Sequence, residues 1–294
     1  MKGVFAMKKI AVINDLSGLG RCSLTAAISV LSAMGVQACP LPTAILTAQT
    51  EYPSYYCDDY TDKMDIYRLE WLKLNQHFDG IYTGYVASVR QIQQILHFID
   101  TFKEPDTFLL VDPVMGDDGQ TYDVYTPELL SQMKQLVSRA DIITPNLTEF
   151  CLLTDMDYHA LLRPELSEED IIRRLQTQSR ILCGDNEKTI IITGICRNSF
   201  DSSPQIGNLY LHGTECSFTS APYIGGSYSG TGDLFASCMA GGIARGDALP
   251  SLLKKTGKFL ENSLRDSVRE KVPYNDGVNY EKFLSILMPG KENV

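Results

Sequence analysis

The sequence predicts an α/β protein, with a mostly parallel sheet covered by helices on both faces. Three observations predict it. Short apolar runs alternate with stretches of helical periodicity along nearly the whole chain. Polar residues stand directly behind those runs, at the strand ends where such sheets bind ligands. The 294 residues, 44% apolar and 21% charged, suit one large α/β domain of ordinary composition.

Each element follows from its residues. "KKIAVI" (8–13) reads as a buried strand, and 21–35 as a helix with Leu24, Ala27, Ile28, Leu31 and Met34 on one face and Gly35 as its stop. "VQACPLP" (36–42) and "GIYTGY" (80–85) read as strands, followed by a helix over about 88–103. "TFLLVDPV" (107–114) is a central strand, then come a helix over about 127–139 and the strand "ADIITPN" (140–146). A helix near 168–182 leads to "KTIIITG" (188–194). "GNLYLHG" and "ECSFTSA" form a hairpin, helices cover about 231–245 and 249–270, and the tail holds a last amphipathic helix. The chain reads as one domain over 1–294, with 1–6 loosely held and the polar stretch 51–75 as a cover segment. Tyr67, Leu69 and Trp71 read as helix packing within that segment.

Bulk properties narrow the function. A net charge of −10 argues against a nucleic-acid footprint. No apolar run reaches the roughly 20 residues of a membrane span, and "MKGVFAMKKIAVI" is too broken for a signal peptide. Eight scattered cysteines without Cys-x-x-Cys, and four separated histidines, give no zinc spacing and fit reduced thiols in the cytoplasm.

Four stretches carry chemistry. In "GGSYSGTGDLFASCMAGGIARG" (225–246) a helix starting near Thr231 aims its free N–H groups at a glycine turn. Gly230 and Gly232 admit a phosphate closely, and Asp233 in the first turn can take the proton of an attacking hydroxyl. The helix dipole favours Asp233 as a carboxylate. The competing reading is a plain loop-to-helix turn ahead of a close-packed core helix. In "VDPVMGDDG" (111–119), Asp112, Asp117 and Asp118 form either a Mg²⁺ site or a solvated acidic turn. "ITPNLTEF" (143–150) offers Thr144, Asn146 and Glu149; Asn146 and Glu149 also fit a capping box. "NDLSGLG" (14–20) is a second glycine turn. It lacks G-x-G-x-x-G, and the chain has no P-loop, so neither a dinucleotide fingerprint nor a Walker motif is present. Together the four stretches supply a base, an anion hole, a metal site and an acceptor pocket, the set that phosphoryl transfer to a small alcohol needs.

On "GTGDLFAS" (230–237), "VDPVMGD" (111–117), "ADIITPNLTE" (140–149) and "TGY" (83–85), the chain resembles the ribokinase superfamily over about residues 8–270, in its vitamin-kinase branch, and pyridoxal kinases above all. The resemblance implies a ribokinase-like three-layer αβα sandwich and ATP-dependent phosphorylation of the 5′-hydroxymethyl group of pyridoxal, pyridoxine and pyridoxamine. It implies Asp233 as base and the N–H groups of Gly230, Thr231 and Gly232 as anion hole. Asp117 and Glu149 would organise Mg²⁺. Asp112, Thr144, Asn146 and Thr193 would lie at the nucleotide, with a monovalent cation, K⁺ or Na⁺, near its phosphates. Asp15, Thr47 and Tyr85 would line the acceptor pocket, Tyr122 would sit in a flap, and the assembly would be a homodimer. Many pyridoxal kinases carry Ser where Asp15 stands. Asp followed by "SGLG" is closer to hydroxymethylpyrimidine kinases, which often carry Cys in place of Asp233. Hydroxymethylpyrimidine phosphorylation is therefore the alternative reading, and a non-catalytic nucleotide- or vitamin-binding protein the reading from another class.

Overall fold

The computed structural model describes residues 7–183, 188–197, 204–225 and 228–290. The expectation for residues 1–6 lies outside them. In chain order the elements are β1 (Lys9–Ser17), α1 (Ser23–Ala33), β2 (Gln37–Leu46), β3 (Cys57–Asp59), α2 (Thr61–Lys73), β4 (Gly80–Thr83), α3 (Val89–Phe102), β5 (Phe108–Val111), β6 (Gly116–Asp117), β7 (Gln120–Thr121), α4 (Pro127–Arg139), β8 (Ile142–Ile143), α5 (Leu147–Thr154), α6 (Tyr158–Leu161), α7 (Glu168–Cys183), β9 (Thr189–Arg197), β10 (Gln205–His212), β11 (Glu215–Pro222), α8 (Thr231–Arg245) and α9 (Leu249–Glu270). The mostly parallel sheet flanked by helices is the α/β class expected. The chain divides into two compact units: Met1–Gly84, Gln94–Phe108 and Ile224–Val294 form the first, and Tyr85–Gln93 and Leu109–Tyr223 the second.

In the first unit β1 lies between β4 and β2, parallel to both, and β3 adds antiparallel to β2. Ile10, Ala11, Val12 and Ile13 are fully buried, as a strand covered on both faces requires. β1 runs on through Asn14 and Asp15 to Ser17, so these polar residues belong to the strand rather than following it. The register slips there: from Asn14 to Leu16 on β1, β2 advances from Pro42 to Ile45. A bulge of this kind re-aims side chains at a strand end.

α8 packs against α1 because its inner face is nearly bare. A Cβ on Gly241 would lie 2.6 Å from the Met34 sulfur, and one on Gly242 would lie 2.4 Å from Leu252. The stretch 51–75 contains α2, whose Trp71 packs on Phe78 and Phe98 with ring centroids 5.3 and 5.9 Å apart. Leu69 departs from its expected packing role and faces outward, 41% exposed. The tail forms two short 3₁₀ turns, Tyr274–Asp276 and Glu281–Ile286, in place of the expected helix. Gly277, at φ 74°, breaks the first turn, and Pro289 and Gly290 follow the second, which leaves too little chain for a stable α-helix.

In the second unit β5, β8 and β9 run parallel, and β9, β10 and β11 form an antiparallel meander. Facing Gly207–Leu209 of β10, β9 advances from Ile195 back to Ile192, so it bulges at Thr193 and Gly194, the latter at φ 70°. β6 and β7 close a tight hairpin over Asp118 and Gly119, at φ 47° and 79°. Two positive φ values in an Asp-Gly pair make this the primed turn that suits strand twist.

Candidate active site

Each unit places a group of the expected residues together. In the first unit Gly230 caps α8 in the left-handed region at φ 80°. A Cβ there would lie 2.2 Å from the Arg21 carbonyl oxygen, so only glycine fits. A Cβ on Gly232 would meet nothing within 4 Å, which leaves open space over the first turn of the helix. Thr231 bends its hydroxyl back to the Tyr228 carbonyl, 2.8 Å away.

Asp233 follows in that open turn, half-buried. Burial pushes its carboxyl up to about 6. The Ser23 N–H and the Asn14 amide, both donating to it, pull the other way, while the Asp15 carboxylate adds to the rise. Asn14 Nδ2 lies 3.0 Å from Asp233 Oδ1.

Asp15 is buried on β1, opposite the bulge in β2. Ser17 donates to its Oδ2 at 2.8 Å and Ser23 to its Oδ1 at 2.5 Å. Burial raises this carboxyl too, and the two hydroxyls oppose the rise. Ser23 sits at φ 51°, a costly backbone state for a non-glycine residue. In that state its N–H serves Asp233 and its hydroxyl serves Asp15. Cys22, buried beside both carboxylates, has its thiol pushed far up by burial and by them, so it is a packed thiol rather than a nucleophile. Thr47 is exposed. Its carbonyl accepts from the Leu19 N–H, and its hydroxyl accepts from the Tyr56 N–H at 2.9 Å.

The turn Tyr274–Asp276 ties the loops of this unit together. Gln49 donates to the Asn275 carbonyl at 3.2 Å, and the Asn275 amide donates to the Glu51 carbonyl at 2.9 Å. The Tyr52 hydroxyl bonds Asp276. The Arg21 N–H donates to the Asp276 carbonyl, and the Ser229 N–H to the Tyr274 carbonyl.

In the second unit Asn146 caps α5 in a complete capping box: its Oδ1 accepts the Glu149 N–H at 2.8 Å, and Glu149 Oε2 accepts the Asn146 N–H at 2.7 Å. Glu149 Oε1 accepts the Met115 N–H at 3.0 Å. Both oxygens are therefore fixed by backbone. Burial, and then the Asp112 carboxylate, hold the Glu149 carboxyl well above its usual range. Asp112 is buried, and Thr144 donates to its Oδ1 at 2.9 Å. The Thr193 N–H donates to the Pro145 carbonyl, which seats the β9 bulge beside Asn146. Asp117, Asn146 and Gly194 line a small cavity of about 70 Å³.

Asp118 is the first residue of the hairpin turn, so the acidic stretch 112–118 divides into a buried acid, an exposed acid and a turn residue. Among the described residues no three carboxylate, thiol or imidazole groups converge as a metal site. The donor chemistry still fits Mg²⁺, which takes hard oxygen ligands, commonly one or two carboxylates with phosphate oxygens and water completing the shell.

Tyr85 belongs to this second unit, not to the unit that holds Asp15 and Thr47. Tyr122 is 40% exposed just past the hairpin, with its N–H on the Met115 carbonyl. Sequence reasoning missed Tyr125. Its hydroxyl is buried without a hydrogen-bond partner among the described residues, and Glu149, Tyr85 and Tyr122 all act on it. The signal was present as a second tyrosine in "TYDVYTP" (121–127).

The chain is similar to known proteins in sequence and in fold. The profile of the phosphomethylpyrimidine kinase family matches residues 20–277. Pyridoxal kinase of Dictyostelium discoideum is 26% identical over 268 residues, which cover 86% of this chain and 85% of that protein. A Bacteroides thetaiotaomicron protein assigned as a phosphomethylpyrimidine kinase is 37% identical, with a TM-score of 0.88 over 99% of this chain and 98% of its own. That protein was also solved in a form with pyridoxal. Pyridoxal kinase from Lactobacillus plantarum is 30% identical, with a TM-score of 0.82 over 96% of this chain and 97% of its own. With a profile spanning most of its length and relatives covered nearly end to end, the chain belongs to the phosphomethylpyrimidine kinase family of the ribokinase superfamily.

Proposed function

We propose that this protein is an ATP-dependent kinase that phosphorylates the 5′-hydroxymethyl group of B6 vitamers. The observation that carries the reading is Asp233, in the open first turn of α8 with its carboxyl pushed up to about 6. A group of that basicity is largely ionised at neutral pH and still accepts a proton readily. Asp233 takes the proton of the acceptor hydroxyl as its oxygen bonds the γ-phosphorus. The bond from that phosphorus to the β,γ-bridging oxygen breaks, ADP departs, and Asp233 later returns the proton to water. The N–H groups of Gly230 and Gly232 would meet the charge that develops on the γ-phosphoryl oxygens, joined by that of Thr231 if it leaves the Tyr228 carbonyl, on which it makes a long bond of 3.4 Å. On the acceptor side, Asp15 meets the ring nitrogen or amine, and Thr47 and Tyr85 are the further acceptor residues of this reading. Asp112, Thr144, Asn146 and Thr193 would contact the nucleotide, and Asp117 would hold Mg²⁺, with Glu149 joining through the lone pairs its backbone bonds leave open. The metal ion supplies neutralisation of phosphate charge. Tyr122 and the β6–β7 hairpin act as a flap, and K⁺ or Na⁺ assists near the phosphates.

Relatives support the acceptor choice. The Bacteroides protein was solved with pyridoxal, and pyridoxal kinases recur among the similar proteins. The family profile and Asp15 favour the second reading, a hydroxymethylpyrimidine kinase. Comparing kcat/KM for pyridoxal, pyridoxine, pyridoxamine and hydroxymethylpyrimidine decides between them. We expect the B6 vitamers to lead; a clear lead for the pyrimidine overturns the substrate choice, and no turnover with any of them returns the chain to a binding protein. A homodimer is supported by Ile66, Leu69 and Leu72, exposed at near-regular spacing on α2, and light scattering tests it. A cytoplasmic setting is proposed from the scattered cysteines of the sequence; no helix among the described residues is long and apolar enough to cross a membrane.

A further inference from the structure

Asn14 does more than fill the end of β1. Its side chain is fully buried, and its two polar atoms are committed in opposite directions. Oδ1 accepts the Asp15 N–H at 3.0 Å, and Nδ2 donates to Asp233 Oδ1 at 3.0 Å. The first bond fixes the second. A backbone N–H can only donate, so the amide oxygen must face Asp15 and the NH₂ must face Asp233. The amide cannot swing away either. A Cβ on Gly84 would lie 2.3 Å from Asn14 Nδ2 and 2.6 Å from its amide carbon, so the Gly84 backbone closes one side of the group.

We infer that Asn14 is a positioning residue for Asp233: its fixed NH₂ donates to Oδ1 and holds the carboxylate in place as a proton acceptor. The inference rests on the reading of Asp233 as the base. An amide NH₂ only donates, so the bond holds the carboxylate in its proton-accepting form while each oxygen keeps a lone pair for the incoming proton. The same donor favours the ionised carboxyl, against burial and the Asp15 carboxylate. The groups that face Asp233 are Asn14 and Asp15 from β1, and Cys22 and the Ser23 N–H from the start of α1. Of these, Asn14 is the side chain that donates to Asp233 and can be replaced without altering the backbone.

The test is the pH profile of kcat/KM for pyridoxal with Asn14→Asp, which keeps the size and the bond to the Asp15 N–H but replaces the NH₂ donor. We expect kcat to fall by about tenfold and the acid limb to move alkaline by roughly one pH unit, because the donor is lost and a further carboxyl joins Asp15 beside Asp233. KM for ATP stays within about twofold, since the nucleotide-contact residues proposed above do not include Asn14. An acid limb that stays in place overturns the inference, whatever happens to kcat, because a merely structural role does not move it. Gly84→Ala is the second variant. It crowds the amide without removing it, and the expected shift has the same direction and a smaller size; an unmoved limb with full turnover counts equally against the inference. Asp233→Asn in the same assay separates the two levels. Near-normal turnover there sinks the base assignment itself, whereas an inactive Asp233→Asn beside an unshifted Asn14→Asp sinks the positioning role alone.

Discussion

The two units each bring a pair of carboxyl groups together, and they hold them by different mixtures of side-chain and backbone donors. In the first, Asp15 is held by the hydroxyls of Ser17 and Ser23, and Asp233 by the Asn14 amide and the Ser23 N–H. In the second, Glu149 is gripped by the N–H groups of Met115 and Asn146, and Asp112 by the Thr144 hydroxyl. Side-chain donors let one substitution retune a carboxyl. Backbone donors fix a carboxyl to the fold itself, so its basicity changes only if the loop moves. The first arrangement suits a proton acceptor, and the second holds the Glu149 carboxyl rigidly to the backbone at Met115 and Asn146.

The comparison breaks most sharply at Asp233. Replacing Asp233 with Asn is expected to cut kcat by about 10²–10⁴-fold while leaving nucleotide affinity nearly unchanged, read by steady-state kinetics and ATP titration. Next comes Glu149→Gln, which removes a charge but keeps the shape. We expect KM for ATP and the Mg²⁺ requirement to rise roughly tenfold, with melting showing some loss of stability through a weakened capping box.

The pH profile sharpens the contrast. Asp233 must be ionised to act, so kcat/KM should fall as pH drops through about 6 and level off above it. Its folded pKa stands above the unfolded value, so the folded state binds this proton more tightly. That contribution to stability is full at low pH and is lost as pH rises through about 6. Asp233→Asn should therefore raise Tm more at pH 8 than at pH 5, which melting at the two pH values checks. The smallest effect belongs to Asp118→Asn. Asn suits a left-handed turn position as well as Asp does, so stability should change by less than about 0.5 kcal/mol and kcat/KM by less than about twofold. A large loss would mean that Asp118 is a ligand and not only a turn residue.

Much of this was legible before any coordinates. The run at 8–13, the glycine turn ahead of Asp233 and the capping box at 146–149 are local patterns with local causes, and each appears where periodicity put it. What stayed hidden depends on neighbours distant in sequence. Nothing in "NDLSGLG" shows that β2 slips against β1 at this point, or that Ser23 adopts a left-handed backbone to serve two acids. Tyr125 gained its interest only from the groups folded around it. The tail was misread because apolar spacing suggests a helix, whereas glycine and proline leave only single turns. The order of pKa effects on Asp233 was also beyond the sequence, since the depth of burial decides it.

The turn at Tyr274–Asp276 has a consequence for biogenesis. It secures Gln49, Glu51 and Tyr52 and meets Arg21 and Ser229, yet it is made more than two hundred residues after the first of these. During synthesis the loops around Asp15 therefore wait, unfastened, until residue 276 has left the ribosome. A nascent chain halted short of that point would contain both Asp15 and Asp233 and still lack the clasp that gives their surroundings a fixed form.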